Sequence, residues 1–147
     1  MKFDQEFKDA ILNLPEKDKD KLLLRLLKKE ELLVNQLYFQ LIETRPIEEI
    51  RNQLSLTILN ILDKSINRFY SPGYLLIELK TISGLITKHI KETKDKTAEI
   101  SLNLLMLNHT LNEAKYKISK FNYSRNQTLF DYIINRTFKI LLQIHKK

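Results

Sequence analysis

Two features of the sequence predict an all-α fold: few helix-breaking residues and helical spacing of the apolar ones. The 147 residues include two Gly and three Pro, and neither type occurs after Gly84. Apolar residues recur three and four positions apart, as expected for helices with one buried face. We therefore expect a single all-α domain over residues 1–147, folded as an irregular bundle of six or seven helices. A short solenoid-like stack of helix pairs is the alternative.

The first 43 residues are predicted to form three short helices. The first spans Asp4 to Asn13, and Pro15 opens a second over Glu16 to Lys28, whose first turns are fully polar. We favour a break near Lys29, after which apolar spacing continues to Glu43. The residues expected to form the apolar faces of these helices are Phe3, Phe7, Ala10, Ile11, Leu14, Leu22, Leu23, Leu26, Leu27, Leu32, Leu33, Leu37, Leu41 and Ile42.

Two further prolines mark the starts of longer helices. Thr44-Arg45-Pro46 is typical of a cap followed by proline at the first helical position, and predicts a helix from Pro46 to Phe69. Ser71-Pro72-Gly73 repeats this signal. In the helix that starts at Pro46, the residues expected to point inward are Ile50, Leu54, Ile58, Ile61 or Leu62, and Ile66.

A regular apolar seam follows Pro72. Its members are Leu75, Leu79, Ile82, Ile86, His89, Thr93, Thr97, Ile100, Leu104, Leu107, Leu111, Ala114, Ile118 and Phe121. One helix of about 50 residues would be about 75 Å long, which exceeds the size of so small a domain. Because the seam also loses apolar character at His89, Thr93 and Thr97, we favour a hairpin that turns near residues 94–96. A last helix is expected from Arg125 to about His145, after a loop at residues 122–124.

Charge is distributed unevenly along the chain. The net charge is +7, of which +6 lies in residues 101–147, while residues 1–50 carry −2. Such a field attracts phosphate, an anionic membrane surface or an acidic partner. Lys outnumbers Arg 19 to 6, and Ile and Asn are abundant. A base composition rich in A and T would give this bias without any functional role, and that explanation stays open.

The last helix carries the most suggestive surface. Tyr132, Arg136, Lys139, Gln143 and Lys146 share one face, and the core is expected on the opposite one. The expected core residues there are Leu129, Ile133, Ile140, Leu141 and Ile144. The full candidate surface for nucleic acid or another anionic partner is Lys115, Lys117, Lys120, Arg125, Tyr132, Arg136, Lys139, Gln143 and Lys146, with Tyr116 and Tyr123 among them. Cations interleaved with aromatics suit phosphates and stacked bases, so RNA is one predicted partner.

No reaction-specific motif is present. The chain has no Cys, so disulfides and thiolate zinc sites are excluded. Its three His form neither His-x-x-x-His nor Glu-x-x-His, the nearest pairs being His89 with Glu92 and His109 with Glu113. A Gly-rich phosphate loop and a Gly-x-Ser-x-Gly elbow are also absent from the sequence. We therefore predict no metal, no cofactor, no small-molecule substrate and no catalytic residues, with an unfamiliar enzyme as a further alternative.

Two segments carry a resemblance to known proteins. The run from Leu12 to Leu27 (LNLPEKDKDKLLLRLL) and the segment Ile90 to Lys96 (IKETKDK) resemble small uncharacterised all-helical proteins of the Bacteroidota. The resemblance implies a cytoplasmic helical domain and no particular activity. The acidic residues near Met1 are unlike a secretory signal, and no apolar stretch is long enough to span a bilayer.

These observations favour a non-catalytic helical interaction module in the cytoplasm. It would bind another macromolecule, most simply a protein, or associate with itself through exposed Leu and Ile. The alternative is an RNA-binding accessory protein that uses the basic C-terminal face.

Overall fold

In a computed structural model, the structure describes residues 3–146, which form helices joined by short turns and loops, with no strand in that range. The seven helices within it are α1 (Gln5–Leu12), α2 (Glu16–Leu27), α3 (Glu31–Leu41), α4 (Ile47–Asn67), α5 (Pro72–Thr93), α6 (Lys96–Ile118) and α7 (Tyr123–His145). The all-α prediction is confirmed, with the expected number of helices. By its internal contacts the chain divides into two units, residues 1–43 and 44–147. The expectation of one domain stays a prediction.

The N-terminal unit contains α1 to α3. Asp4 begins α1 by accepting a hydrogen bond from the amide of Phe7 at 2.7 Å, and Pro15 precedes α2 as predicted. The expected break near Lys29 is confirmed, because α2 ends at Leu27 and α3 starts at Glu31. The predicted buried face of α1 is wrong: Phe3, Phe7 and Ala10 are exposed, and Ile11 and Leu14 are half-buried. Helices α2 and α3 contact each other, but none of the residues of α1 to α3 is buried. A unit this short is too small to enclose a core of its own.

The second unit, called the bundle here, contains α4 to α7. Helices α5 and α6 form an antiparallel hairpin, and α4 and α7 each contact both of its members. All four helices contribute side chains to one apolar core. Its fully buried members include Ile58, Leu62, Leu79, Met106 and Leu129. A common core of this kind is a bundle, in contrast to the stack of helix pairs considered as the alternative.

The hairpin between α5 and α6 confirms the preferred interpretation of the long seam. Lys94 adopts the left-handed conformation (φ 60°) at the end of α5, and its amide donates to the carbonyl of Ile90. Asp95 then caps α6 by accepting from the amide of Ala98 at 3.1 Å. The chain therefore reverses within two residues.

The seam predicted beyond this turn is partly wrong. Leu104 and Leu111, expected in the core, are exposed, whereas Leu102, Met106 and Thr110 are buried. The prediction assumed that the apolar spacing of α5 continues in register across the polar residues 94–96 and into α6. A left-handed residue interrupts that phase, and the buried face of α6 is then determined by packing against the other three helices.

Two predicted helix starts also need correction. Pro46 is the N-cap of α4 and helix begins at Ile47, so the proline does not occupy the first helical position expected for it. Asn122, expected in a loop, accepts from the amide of Arg125 at 3.0 Å and starts α7 at Tyr123. By contrast, Ser71 caps α5 through the amide of Tyr74, as predicted.

Candidate interaction surfaces

The predicted basic face divides into exposed and engaged side chains. The exposed ones are Lys115, Lys120, Arg125, Lys139 and Lys146, and the half-buried ones are Lys117, Tyr132, Arg136 and Gln143. Since Arg125 in α7 and Lys146 at its C-cap are 21 residues apart, the cations extend over about 32 Å. The surface is therefore two groups of cations near opposite ends of α7.

Tyr132 and Arg136 contact the bundle itself. The hydroxyl of Tyr132 hydrogen-bonds to the Oγ of Ser83 and donates to the carbonyl of Leu79 at 3.3 Å. The guanidinium of Arg136 donates to the same hydroxyl at 3.3 Å and lies 5.5 Å from the centre of the Tyr132 ring. Tyr132 therefore joins α7 to α5 and Arg136 contacts Tyr132 from within α7, neither of which was apparent from spacing in the sequence.

Lys117 also has a structural role. Its Nζ donates to the carbonyl of Ile66, and to that of Asn67 at 3.4 Å, in the last turn of α4. A cation at this point satisfies terminal carbonyls and interacts favourably with the negative end of the helix dipole. Lys117 is thus less available to an external partner than its exposed neighbours.

The turn between α6 and α7 concentrates exposed cations and aromatic rings. Tyr116 and Tyr123 are both largely exposed, and the Nζ of Lys115 lies 5.2 Å from the centre of the Tyr116 ring. Lys120 and Arg125 are exposed on either side of the same turn. This end of the bundle keeps the combination of charge and stacking surface that the sequence predicted.

A second face of α7 is apolar and exposed. Ile134, Phe138 and Leu141 are 52%, 61% and 55% exposed and follow one another at spacings of four and three residues. Leu142 and Ile144 are also exposed. The prediction that Leu141 and Ile144 face the core is wrong, because the core face of α7 is narrower than expected and contains Leu129, Ile133 and Ile140.

The N-terminal unit exposes even more apolar surface. No side chain of the described residues 3–43 is buried. Twelve large apolar side chains there are 40 to 75% exposed: Phe3, Phe7, Leu12, Leu23, Leu24, Leu26, Leu32, Leu33, Val34, Tyr38, Leu41 and Ile42. Single exposed apolar residues are normal on a protein surface, but a dense group of them marks an interaction site.

The structure also contains a buried polar cluster that sequence analysis missed. Arg51 donates two hydrogen bonds to the carboxylate of Asp95, from Nε at 2.8 Å and from Nη2 at 3.0 Å. His89 lies on the other side, with its Nε2 3.4 Å from the same carboxylate. The side chains of Arg51 and Asp95 are 19% and 4% exposed. Asp95 therefore caps α6 and also connects the hairpin turn to α4.

This environment changes the acidity of both members of the ion pair. Burial by itself raises the pKa of Asp95, but hydrogen bonds from Arg51, the Ala98 amide and His89 outweigh it and hold that pKa below its ordinary value. The hydrogen bond to Asp95 in turn raises the pKa of Arg51, against the effect of its desolvation. The pair is thus ionised at neutral pH.

Two of the histidines contact carboxylates. The Nε2 of His89 lies 3.4 Å from Asp95, six residues farther along the chain, and the Nε2 of His109 lies 2.6 Å from Asp63 of α4. Tertiary packing brings Asp63 close to His109, since the two are 46 residues apart in sequence. Only the acidic N-cap position of Asp95 could have indicated one of these contacts in advance.

A shallow pocket lies beside the buried cluster. Its volume is about 300 Å³, and side chains of α4 and α5 line it, among them Gln53, Thr57, Lys88, His89 and Glu92. Lys88 and Glu92 form an ion pair at 3.9 Å across one helical turn. The chemical groups in this pocket are thus largely engaged with one another.

Residues 3–146 contain neither a metal-binding cluster nor a membrane-spanning helix. Within that range, no cluster of three or more His, Asp or Glu side chains is arranged to hold a metal ion. None of the helices described there combines the length and hydrophobicity needed to cross a bilayer.

Comparison with known proteins gave no match: no family model, curated protein or solved structure is detectably similar to this chain. The resemblance to helical proteins of the Bacteroidota stays a prediction.

Proposed function

We propose that the protein is a non-catalytic helical interaction module that binds another macromolecule through the apolar side chains of its N-terminal unit. The observation that carries the proposal is the absence of any buried side chain among residues 3–43, together with twelve large apolar side chains that are exposed there. Covering such side chains removes apolar surface from water at about 25 cal/mol per Å². The bundle, with its own core, would act as the folded support.

The chemistry around α3 indicates the kind of partner. Glu30, Glu31 and Glu43 flank its apolar residues, and no Lys or Arg occurs between residues 30 and 44. A partner that presents an apolar helix face bordered by cations would complement this segment. We therefore expect a protein partner whose basic residues contribute strongly to the affinity of the complex.

The buried polar cluster supports a non-catalytic role. The carboxylate of Asp95 accepts from Arg51, from the amide of Ala98 and from the ring of His89, so it caps a helix and fixes a turn. A general base needs access to the proton that it removes. Structural engagement accounts for these residues without a reaction.

The proposal can be tested with surface variants of the full chain. Leu33→Gln combined with Leu41→Gln should greatly reduce recovery of specific partners in quantitative affinity purification and weaken binding to a purified partner by tenfold or more, about 1.4 kcal/mol. Leu56→Gln combined with Ile77→Gln is the matched control, because these residues are equally exposed on the bundle. Equal recovery with both double variants would contradict the proposal, as would the lack of any partner for the unmodified chain.

RNA binding is the second candidate, favoured by the exposed tyrosines and cations at the α6–α7 turn. Lys120→Glu with Arg125→Glu should abolish binding of labelled RNA, whereas Lys80→Glu, at an exposed position on α5, should not. Arg136 is unsuitable for this test because it contacts Tyr132. Filter binding across a salt series is the measurement, and affinity that is absent or independent of salt would remove this candidate.

A further inference from the structure

The exposed apolar face of α7 has the pattern of a helix-pairing seam. Five residues of α7 follow one another at spacings of three, four, three and four residues, as on one side of a coiled coil. They are Asp131, Ile134, Phe138, Leu141 and His145. All five are exposed. The three apolar residues form the centre of the seam, and a charged or titratable residue stands at each end.

The charges at the two ends favour a partner that runs in the opposite direction. Asp131 is the only acidic residue between Tyr123 and His145, and the basic residue Lys146 follows that helix. If two copies of α7 paired antiparallel about Phe138, Asp131 of one copy would lie level with His145 of the other, next to Lys146. Parallel pairing would instead place each charged residue beside the same residue of the other chain, and such pairs of like charges are destabilising. The charges at the two ends of the seam are therefore complementary in the antiparallel arrangement.

We propose that α7 pairs with α7 of a second copy of this chain, antiparallel and with Phe138 near the two-fold axis. Such an isologous contact uses the same surface on both copies. Ile134 and Leu142 lie four residues on either side of Phe138, so they would pack against each other across the axis.

The area of the seam sets the expected strength of the dimer. Ile134, Phe138, Leu141 and Leu142 are each about half exposed. At roughly 80 to 100 Å² per side chain, pairing would bury about 640 to 800 Å² in total over the two copies, which is less than a standard interface and typical of a weak contact. We therefore expect a weak dimer, with a dissociation constant on the order of 100 µM.

The inference goes beyond the proposed function because it concerns the bundle and not the N-terminal unit. The variants Leu33→Gln and Leu41→Gln should leave dimerisation unchanged, and variants of the α7 seam should leave binding through the N-terminal unit unchanged. The two sets of variants therefore distinguish failure of the dimer proposal from failure of the proposed function.

The dimer is tested by sedimentation equilibrium of the full chain over a range of about 1 to 500 µM, spanning the expected dissociation constant. Phe138→Ser should weaken the dimer by tenfold or more, while Ile77→Ser, at a similarly exposed position on α5, should leave it unchanged. Leu142→Ser serves as a second seam variant if circular dichroism shows that Phe138→Ser alters the fold. A chain that is monomeric over the whole range would overturn the proposal, as would a dimer insensitive to the seam variants.

The orientation is tested by distances between spin labels. The chain has no Cys, so Lys139→Cys and Thr128→Cys each place a single label on an exposed position of α7. In an antiparallel dimer the two copies of Thr128, ten residues from Phe138, would be offset by about 30 Å along the helix axis, and those of Lys139 by about 3 Å. The two labels at Thr128 should therefore be about 15 to 20 Å farther apart than the two labels at Lys139. Equal distances at the two positions indicate parallel pairing and refute the proposed arrangement.

Discussion

Replacing Asp95 with Asn isolates the contribution of the buried ion pair to the stability of the bundle. Asn has nearly the same shape and is as good an N-cap as Asp, so the hydrogen bond to the Ala98 amide is retained. The substitution removes the negative charge that compensates the guanidinium of Arg51. The expected effect is therefore that of an uncompensated charge.

The magnitude follows from burial and geometry. Removing one partner of a fully buried pair costs about 3 to 5 kcal/mol, whereas an exposed pair contributes about 0.2 to 1 kcal/mol. Asp95 is almost completely buried, but Arg51 keeps 19% of its side chain exposed and can reach water in part. We expect Asp95→Asn to lower the free energy of unfolding by about 2 to 3 kcal/mol, and Asp95→Ala by about 1 kcal/mol more through loss of the cap.

Urea unfolding followed by circular dichroism measures this change at neutral pH. Asp63→Asn is the matched control, since Asp63 pairs with His109 at 2.6 Å but is 57% exposed, and it should cost less than about 1 kcal/mol. Equal losses for the Asp95 and Asp63 variants would refute the reasoning, because burial would then not determine the strength of the pair.

The pH dependence of stability provides a second test of the Asp95→Asn prediction. The pKa of Asp95 is lower in the folded state than its ordinary value of about 3.9. Its contribution is therefore fully present above the unfolded pKa and is lost as pH falls through the folded pKa. The difference in stability between the unmodified chain and Asp95→Asn should be constant from about pH 5 to pH 7 and shrink below about pH 4. A difference that persists unchanged at low pH would contradict this account.

Three further predictions concern the backbone and the core, and urea unfolding measures each of them. Lys94→Gly should raise the free energy of unfolding by about 0.5 to 1 kcal/mol, because Lys94 has φ 60° and glycine adopts that conformation without strain. Gly84→Ala should also raise it by about 0.5 to 1 kcal/mol, since the position is helical and the added Cβ meets no atom within 4 Å. Leu79→Ala should lower it by about 2 to 5 kcal/mol, because Leu79 is fully buried in the bundle core. A loss of stability at either of the first two positions, or no loss at the third, would show that the local argument is wrong.

The helices were predictable from the sequence because the signals that start and stop them are local. Ser71-Pro72 specifies the start of α5 through a side-chain cap and a preset φ angle, and both are visible in three consecutive letters. The break near Lys29 and the turn near Lys94 coincide with polar interruptions of the apolar spacing. The first residue of α4 differs from the predicted one by one position and that of α7 by two. Differences of this size are ordinary, because the ends of helices adjust to their surroundings.

The candidate surfaces were predictable only in part. Exposed Lys and Tyr near the α6–α7 turn were identified from composition, but Tyr132 and Lys117 form contacts with α5 and α4 that spacing does not reveal. Leu141 and Ile144 of α7 were predicted to lie in the core because they are apolar, yet both are exposed. Hydrophobicity states which side chains favour burial, whereas the number and position of neighbouring helices decide which of them are buried.

The sequence by itself determined that this chain folds as helices, where most of them begin and end, and that it has no disulfide, because each of these properties depends on residues close together in the chain or on composition. Tertiary structure alone decided the phase of α6, the pairing of Arg51 with Asp95 and of His109 with Asp63, and the apolar faces left uncovered on α7. These depend on contacts between residues tens of positions apart, and such contacts exist only once the helices have packed against one another.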